Sequence, residues 1–283
     1  MKKIFILAGI SFIAIYFIYS YKTWFNQDYF RVVFFDVGQG DSSLIVTPLG
    51  QTILIDGGPD NEVLREIGKF LPFWQRRLDL LILTHEHEDH LFGLAELSHR
   101  YKIKVFLKNK IDYQKPEGAY LQESLALNQT KIIEAEPGMI LNFDSGCYLS
   151  VLAADKGANL LANDYSVVTL FSCLNKKILL TGDAGVAVER EIIANFNNIK
   201  ADILKVAHHG SLSANSLAFL NQVKPKAAII SVGADNKYNL PAPLILDRLK
   251  KLPVDIYRTD KLGTIEFLAN NKLIRLTKTS KNN

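Results

Sequence analysis

Three imidazoles and a carboxylate lie within six residues of the chain, in the run His85-Glu86-His87-Glu88-Asp89-His90. The run follows directly after the apolar residues 80–83, and neither His nor Asp is common in a core or a strand. Neutral imidazole and carboxylate are ligands that zinc, manganese or iron take. Because alternate side chains of a strand face opposite ways, the chain must curl here to gather them. We predict a loop that aims His85 and His87 at one metal ion and Asp89 and His90 at a second; a solvated polar loop is the alternative.

The overall composition describes a folded protein. The 283 residues are 48% hydrophobic and 22% charged, which permits a sizeable core in one large domain or two small ones and excludes a disordered chain. The net charge is only +4, so charge alone does not indicate a polyanionic substrate. A polar tail is predicted at residues 277–283.

The N-terminal segment has the character of a membrane anchor. Lys2 and Lys3 precede residues 4–21, which carry no charge and as a helix would reach about 27 Å against a bilayer core of about 30 Å. A cleaved secretory signal is the alternative, but no good pair of small residues marks a cleavage site near the end of the run. We predict one transmembrane helix within residues 1–26. The basic N-terminus is expected to stay cytoplasmic, which places the domain at residues 27–276 outside the cytoplasm on a single-pass membrane protein.

Cys147 and Cys173 are the only cysteines of the chain. Outside the cytosol they could form a disulfide, but both lie in apolar stretches that look like strands. We therefore expect two buried thiols. Neither cysteine has metal-ligand spacing.

Hydrophobic patterning predicts mostly strands in the first half of the chain and alternating strands and helices later. Strands are predicted at residues 31–35, 43–47, 51–55, 80–83, 166–172, 177–180, 203–206, 227–231, 254–257, 264–267 and 272–276, with three more within 139–153. Helices are predicted at residues 61–69, 91–97, 186–196, 213–223 and 243–252, with a weaker candidate at 123–127. The stretch 101–135 gives no clear pattern. Two sheets packed face to face, with helices on both outer faces, fit this order.

Other strand ends carry loops suited to a ligand. In residues 36–42, Gly38 and Gly40 permit close approach of the backbone to a ligand or metal, although a plain turn would have the same sequence. Asp183 ends another predicted strand and is a candidate to bridge two cations; a turn aspartate that caps the next helix is the alternative. Residues 231–238 form a polar loop that could line a cleft.

Two adjacent histidines, His208 and His209, end a further predicted strand. Two neighbouring side chains usually cannot face the same metal ion, so we choose His208 as the ligand and give His209 a supporting or substrate-contacting role. The first metal ion is then expected to take Asp89, His90, His208 and one oxygen of Asp183.

The second metal ion has the poorer set of ligands. We expect His85, His87 and the shared Asp183 to be completed by water, or by an amide or carboxylate such as Asn163 or Asp164. The predicted cofactor is one or two divalent metal ions. Zinc is favoured, and manganese or magnesium is the alternative.

In the order of these motifs, the chain resembles the metallo-β-lactamase superfamily. The spacing His85-x-His87-x-Asp89-His90 matches its hallmark, and Asp183 matches its bridging carboxylate. Within the superfamily, further segments are similar to the C-terminal hydrolase domain of the ComEC family of DNA-uptake proteins, namely residues 36–41, 163–166, 181–183, 205–211, 231–233 and 258–263. The resemblance covers residues 31–268. It implies a four-layer αββα sandwich, of mixed α+β and α/β character, and a metal-dependent nuclease that acts on incoming DNA.

The chain departs from the superfamily pattern at two positions. Asn163 or Asp164 stands where most members have a histidine, a replacement that ComEC-like domains share. Leu240 stands where the family often has a histidine after the Ser-Val-Gly loop. The resemblance also implies a partner, because one predicted span cannot form the many-helix channel of ComEC. A separate membrane channel protein is therefore expected.

The expected reaction is hydrolysis of a phosphodiester bond in DNA. Metal-bound water, with its pKa lowered toward ~7, is expected to attack phosphorus as hydroxide. Asp89, Asp183 and His209 are the candidate catalytic residues. Weaker candidates for substrate contacts are Gln39, Asp41, Asn163, Lys205, Ser211 and Lys237.

Two other functions use the same features. The same hydroxide could attack the carbonyl of a lactone, thioester or β-lactam, because the metal ligands do not choose the substrate. A membrane-anchored domain that binds DNA or a partner without turnover is a third reading, motivated by an incomplete metal site and by Leu240. The sequence leaves the oligomeric state open.

Overall fold

The computed structural model describes residues 28–110, 116–154 and 162–281. The predicted anchor at residues 1–26 lies outside these ranges. Within them, no helix is both long enough and apolar enough to cross a membrane.

The first sheet has eight strands and mixed pairing. Its strands are β1 (Phe30–Phe34), β2 (Ser43–Val46), β3 (Thr52–Ile55), β4 (Arg77–Ile82), β5 (Lys102–Lys108), β6 (Lys131–Glu134), β14 (Ile265–Ala269) and β15 (Ile274–Thr279). The order across the sheet is β15-β14-β1-β2-β3-β4-β5-β6. Neighbours are antiparallel from β15 to β3 and parallel from β3 to β6.

The second sheet repeats this division between antiparallel and parallel strands. Its seven strands are β7 (Ile140–Asn142), β8 (Tyr148–Ala153), β9 (Val168–Cys173), β10 (Lys176–Leu180), β11 (Ile203–Lys205), β12 (Ala227–Ile230) and β13 (Asp255–Arg258). They follow the order β13-β12-β11-β10-β9-β8-β7. Pairing is antiparallel from β7 to β10 and parallel from β10 to β13.

Helices cover the outer face of each sheet. The helices are α1 (Glu62–Phe70), α2 (Glu88–Ser98), α3 (Pro116–Leu127), α4 (Val186–Asn195), α5 (Leu217–Val223), α6 (Pro243–Lys250) and the short α7 (Thr259–Leu262). One apolar core lies between the sheets, a second joins the first sheet to α1–α3, and a third joins the second sheet to α4–α6. Each buried strand therefore packs on both faces, which explains its continuous apolar sequence. The predicted αββα sandwich is confirmed.

Several predicted elements differ from the observed ones. Residues 139–153 hold two strands, β7 and β8, rather than three, because a 3₁₀ turn at Asp144–Gly146 joins them as a hairpin. The uninformative stretch 101–135 contains β5, α3 and β6, of which β6 is largely exposed and so lacks a strong apolar signal. Strand β15 continues to Thr279 by pairing with β14, past the predicted start of the tail at residue 277.

The prediction of two buried thiols is wrong. Cys147 and Cys173 form a disulfide, with their Cα atoms 4.3 Å apart. Tyr148 of β8 pairs with Ser172 of β9 in antiparallel register, so the two cysteines lie opposite each other at the ends of these strands. The expected burial is correct, but the pairing follows from a strand register that the sequence pattern does not reveal.

The parallel strands carry the polar loops to one end of the sandwich. The carboxyl ends of β3 and β4 lie together in the first sheet, and those of β10, β11 and β12 lie together in the second. A hydrogen bond from Val167 N–H, just before β9, to Thr84 O, just after β4, joins the two sheets at this end. The loops with candidate ligands therefore converge there.

Candidate metal centre

Two groups of candidate ligands share one residue, Asp183, and a third group, Asp41, Asp56 and His90, overlaps the first at His90. Asp89, His90, Asp183 and His209 each offer a ligand atom, and these atoms lie within 4.8 Å of one another. His85, His87 and Asp183 form a second group by the same measure. The groups correspond to the ligand sets of the two predicted metal ions, except that His209 takes the place in the first group that was predicted for His208.

Asp183 stands between the two groups with both carboxylate oxygens. Its Oδ1 lies 3.4 Å from His90 Nε2, and its Oδ2 lies 3.9 Å from His85 Nε2. Gly182 adopts a φ of +50°, and a Cβ there would come within 3.0 Å of Thr84. Glycine therefore lets the chain turn tightly at the end of β10 and present Asp183 between the sheets.

The histidine run leaves β4 and turns directly into helix α2. His87 is extended, with φ −72° and ψ 148°, and occupies the position before the first helical residue. Asp89 and His90 lie in the first helical turn, and His90 N–H donates to His87 O at 3.0 Å. This change from strand to helix is what lets His85 and His87 face one group while Asp89 and His90 face the other.

A buried carboxylate, Asp56, orients ligands of both groups. It accepts hydrogen bonds from His90 Nδ1 and from the Thr84 hydroxyl, each at 2.8 Å, and from Thr84 N–H. The Thr84 oxygen in turn lies 3.1 Å from His85 Nδ1. With their Nδ1 atoms engaged, His85 and His90 turn their Nε2 atoms toward Asp183, as metal-bound histidines do.

Asp56 was missed by the sequence analysis. It follows β3 in the segment Ile55-Asp56-Gly57-Gly58, and it adopts a positive φ of 57°. The available signal was a carboxylate beside glycine at the end of a buried strand, a feature that Asp56 shares with Asp183.

His209, rather than the predicted His208, completes the first group. Its Nδ1 donates to Ser231 O at 2.9 Å, and its Nε2 lies 3.2 Å from Asp89 Oδ2. His208 and His209 both adopt left-handed backbone conformations, with φ of 50° and 52°. This turn aims the buried His209 ring between the sheets and leaves His208 partly exposed.

His208 also lies beside Asp183, and Asn163 and Ser213 contact it. Its Nε2 is 3.6 Å from Asp183 Oδ2, and its Nδ1 is 2.9 Å from Ser213 Oγ. Asn163 Nδ2 lies 3.3 Å from both ring nitrogens. Ser211 Oγ lies 3.1 Å from Ser213 Oγ, so the side chain of Ser211 reaches the imidazole of His208 only through Ser213. The side chain of Asp164 is outside the described part of the structure.

Asp41 and Lys205, two of the candidate substrate contacts, pair with each other in the interior. Both side chains are buried, and Lys205 Nζ donates to Asp41 Oδ2. Asp41 Oδ1 lies 3.3 Å from His209 Nδ1. Asp41 lies in the loop after β1 of the first sheet, and Lys205 ends β11 of the second sheet. Their ion pair therefore joins the two sheets beside the His209 ring.

A cleft of about 840 Å³ opens beside the first group. Gln39 and Lys237, two further candidate substrate contacts, line it together with Asp89, and Gln39 Oε1 accepts from Gly233 N–H at 3.2 Å. Its other lining residues are Pro59, His87, Glu88, Phe92, Glu117, Asp235, Asn236 and Tyr238. Leu240 packs against the core of the second sheet.

Burial and neighbouring charges shift the pKa values of the histidines in these groups. Burial lowers the pKa of His90, but Asp183 and Asp56 outweigh it and raise that pKa well above the usual range. For His209, burial also lowers the pKa, while neighbouring carboxylates, led by Asp183, raise it to about 10. Burial and the charge of His90 hold the pKa of His85 well below 6.5. The neighbouring carboxylates thus favour the protonated forms of His90 and His209.

The residues present fit a divalent metal ion. Among the described residues, the buried atoms His85 Nε2, His90 Nε2 and Asp183 Oδ1 make no hydrogen bond, although all face the space between the groups. Buried polar atoms are normally satisfied, so these three are explained by coordination to a cation. Imidazole and carboxylate ligands suit zinc, iron or manganese.

The chain belongs to the metallo-beta-lactamase superfamily. The family's model matches residues 35–234, which include both ligand groups. The chain is also similar to particular competence proteins. ComE operon protein 3 of Bacillus subtilis is 29% identical over 290 residues, covering 96% of this chain and 37% of that protein. Competence protein ComA of Neisseria gonorrhoeae is 26% identical over 238 residues, covering 83% of this chain and 32% of the relative.

A third relative carries a name from recombination. Recombination protein 2 of Haemophilus influenzae is 28% identical over 236 residues, covering 81% of this chain and 28% of that protein. The chain thus spans about a third of the length of these relatives. The ComEC-like resemblance is confirmed.

Solved structures share the fold at low sequence identity. The metallo-beta-lactamase fold protein YhfI from Bacillus subtilis has a TM-score of 0.55 at 13% identity, covering 87% of this chain and 99% of that one. A long form RNase Z from yeast has a TM-score of 0.57 at 11% identity, covering 87% of this chain and 42% of that one. The chain is a member of a superfamily of metal-dependent hydrolases whose fold binds divalent metals.

Proposed function

We propose that this protein is a metal-dependent phosphodiesterase that cleaves DNA. The observation that carries the proposal is the pair of ligand groups joined by Asp183 beside an open cleft. Two cations held in this way suit phosphoryl chemistry, because they can stabilise both the attacking and the leaving oxygen. The competence and recombination proteins to which the chain is similar support DNA as the substrate.

The chain's own residues hold and orient the reacting groups. His90, His209 and Asp89 would hold one cation, His85 and His87 the other, with Asp183 shared. Divalent cations held by such ligands supply Lewis-acid chemistry, since they activate water at neutral pH and offset negative charge on a phosphate.

Asp89 is the ligand best placed to handle a proton. Its side chain is 29% exposed and lines the cleft, whereas the side chain of Asp183 is 2% exposed. Asp89 can therefore accept a hydrogen bond from a water on the substrate side, while its Oδ2 stays 3.2 Å from His209.

The charges in the cleft require cations for a phosphate to bind. Glu88, Asp89, Glu117 and Asp235 line it, with Lys237 as the one lysine among the described lining residues. These carboxylates repel a phosphodiester, so metal ions must supply the attraction. DNA binding in this cleft is accordingly expected to require metal.

A nuclease assay on the purified full-length chain tests the proposal. Single- and double-stranded DNA are offered after chelation and after addition of zinc, manganese or magnesium. Cleavage should return with at least one metal and vanish in His85→Ala. His99→Ala is the matched control, because His99 stacks on Tyr120 at a ring distance of 4.0 Å and belongs to neither ligand group. Absence of cleavage with every metal, or equal cleavage by His85→Ala, refutes the proposal.

Hydrolysis of an uncharged ester, lactone, thioester or β-lactam is the second candidate. The four carboxylates that line the cleft favour it, because a neutral substrate is not repelled. Turnover of lactones and cephalosporin-type amides by the same preparation separates the two candidates. Metal-dependent DNA binding without cleavage would instead indicate a non-catalytic binding domain.

The membrane context is part of the proposal. We propose that residues 1–26 anchor the chain and that the metal centre lies outside the cytoplasm. The disulfide between Cys147 and Cys173 supports this, since such bonds persist in oxidising compartments. A separate membrane channel protein is also proposed as partner, which the similarity to competence proteins supports.

A further inference from the structure

A cluster of lysines surrounds a second cleft, of about 780 Å³, in the second sheet. Its basic lining residues are Lys176, Lys177, Lys200, Lys224 and Lys226, which we call the lysine edge. Asp202 is the one acidic residue among the described lining residues, and it pairs with Lys226 at 2.9 Å. The structure gives the other four lysines no ion pair with a described residue. The lysine edge therefore presents a positive surface to an anionic ligand.

The lysine edge lies at the end of the sandwich opposite to the metal centre. Strand β10 begins at Lys176 and ends at Leu180, three residues before Asp183. At about 3.3 Å per residue, the strand alone separates the two ends by ~13 Å. The lysines are thus too far from the ligand groups to contact a phosphate held there.

The described chain begins at the same end. Phe30, the first residue of β1, contacts Phe171 near the end of β9, with ring centroids 5.5 Å apart. Phe30 also pairs with Ala269, and Asn271, two residues later, lines the lysine cleft. The segment that follows the proposed anchor therefore enters the domain beside the lysine edge.

Exposed aromatic side chains occupy the same end. Phe73 and Trp74 precede β4 and are 68% and 42% exposed. Arg76 and Arg77 follow them and are also exposed. Because β4 runs toward the metal centre, its first residues lie at the far end. Tryptophan with neighbouring basic residues is the composition of surfaces that lie in a membrane interface.

We propose that this end of the domain, comprising the lysine edge and residues 73–77, docks on the anionic headgroups of a bilayer and holds the metal centre away from it. The proposal rests on the proposed anchor, which brings the chain to the bilayer at this end. A bilayer fits better than DNA, because the surface lies at the end where the described chain begins and faces away from the proposed cleavage site. The lysines contact phosphate groups, and the aromatic rings enter the interfacial region.

Fluorescence quenching in vesicles tests the docking. Trp24 and Trp74 are the only tryptophans, so Trp24→Phe leaves Trp74 as the single probe in the full-length chain. The protein is reconstituted with brominated phosphatidylcholine, with or without phosphatidylglycerol. Trp74 should be quenched more strongly when the anionic lipid is present. Each lysine near an anionic surface strengthens binding about fivefold, so Lys176→Gln/Lys177→Gln/Lys200→Gln should weaken docking ~100-fold and lose the added quenching.

Two control proteins define the opposite end. A variant with both tryptophans changed to Phe and with Tyr238→Trp carries its probe beside the metal-centre cleft and should stay unquenched. Lys237→Gln, added to the Trp24→Phe protein, removes a lysine at that end and should leave Trp74 quenching unchanged. Quenching of Trp74 that ignores lipid charge, or that equals the quenching of the probe at position 238, overturns the proposal. The proposal is also overturned if the triple lysine variant loses DNA binding but still docks on vesicles.

A carbonate wash separates the docking from the anchor. Protein that floats with vesicles after the wash is anchored, and its quenching then reports docking alone. Protein that the wash removes, but that shows charge-dependent Trp74 quenching before it, retains the docking and refutes the anchor. Protein that neither floats nor is quenched refutes both.

Discussion

His90 donates its Nδ1 proton to Asp56 over 2.8 Å, in an interior where both side chains are at most 1% exposed. This contact fixes the tautomer of His90 and leaves Nε2 to face Asp183. Through Thr84, the same carboxylate also holds His85. One buried aspartate thus positions a ligand in each of the two groups.

Replacing Asp56 by asparagine should weaken metal binding without removing a ligand. The amide cannot accept from Nδ1 as strongly as the carboxylate does, so zinc affinity is expected to fall ~10–100-fold. Competition with a chromophoric chelator measures it. Asp79→Asn is the matched control, because Asp79 also accepts hydrogen bonds in this sheet, from Thr52, but lies away from the ligands. An unchanged affinity in Asp56→Asn would contradict the positioning role.

The two adjacent histidines should differ in their effect on metal affinity. His209→Ala removes a member of the first group and should weaken binding more than the ~10–100-fold expected for loss of a supporting partner. His208→Ala should lower the affinity of the tighter zinc-binding step less than His209→Ala does, since His208 lies outside the first group. Isothermal titration with zinc compares the two variants. The reverse order of effects would restore His208 as the ligand.

The metal-free protein should lose stability as the pH rises above neutrality. The pKa of His209 is about 10 in the folded state against 6.5 for an ordinary histidine. A raised folded-state pKa stabilises the fold fully below pH 6.5, and this contribution is lost as the pH rises through about 10. Urea unfolding of chelator-treated protein between these limits measures the loss. His209→Gln should flatten the profile, and a wild-type profile that is already flat would exclude a protonated His209.

The buried pair of Asp41 and Lys205 should be worth more to stability than an exposed pair. Lys205→Met leaves the Asp41 carboxylate buried without its cation, at a cost of about 3–5 kcal/mol in unfolding free energy. Lys226→Met, which breaks the exposed pair with Asp202, should cost about 0–1 kcal/mol. Urea denaturation compares the two. Equal losses would show that Lys205 does not compensate a buried charge.

The candidate ligands could be predicted from the sequence because of their local chemistry, whereas the role of each residue depends on the fold. The histidine run and Asp183 stand out because polar residues follow buried strands at both places. Asp41 and Lys205 looked like substrate contacts, because no sequence pattern shows that two loops from different sheets bury them against each other. The choice between His208 and His209 depended on two successive left-handed residues, a backbone conformation that is uncommon for any residue other than glycine.

The fold was predictable where apolar strands are buried on both faces and less so elsewhere. Strand β6 was not predicted because its side chains are mostly exposed. The disulfide was not predicted because it depends on the register between β8 and β9. Asp56 was not predicted as part of the site, because a single aspartate before two glycines is also common in turns.

The metal content of the wild-type chain and of Asp183→Asn tests the central claim most directly. Native mass spectrometry of protein equilibrated with zinc should show two ions per wild-type chain, because both ligand groups are present. Asp183→Asn should hold at most one, since both groups lose the carboxylate they share. A wild-type chain without bound metal, or an Asp183→Asn chain that keeps two ions, would contradict a dinuclear centre built around Asp183.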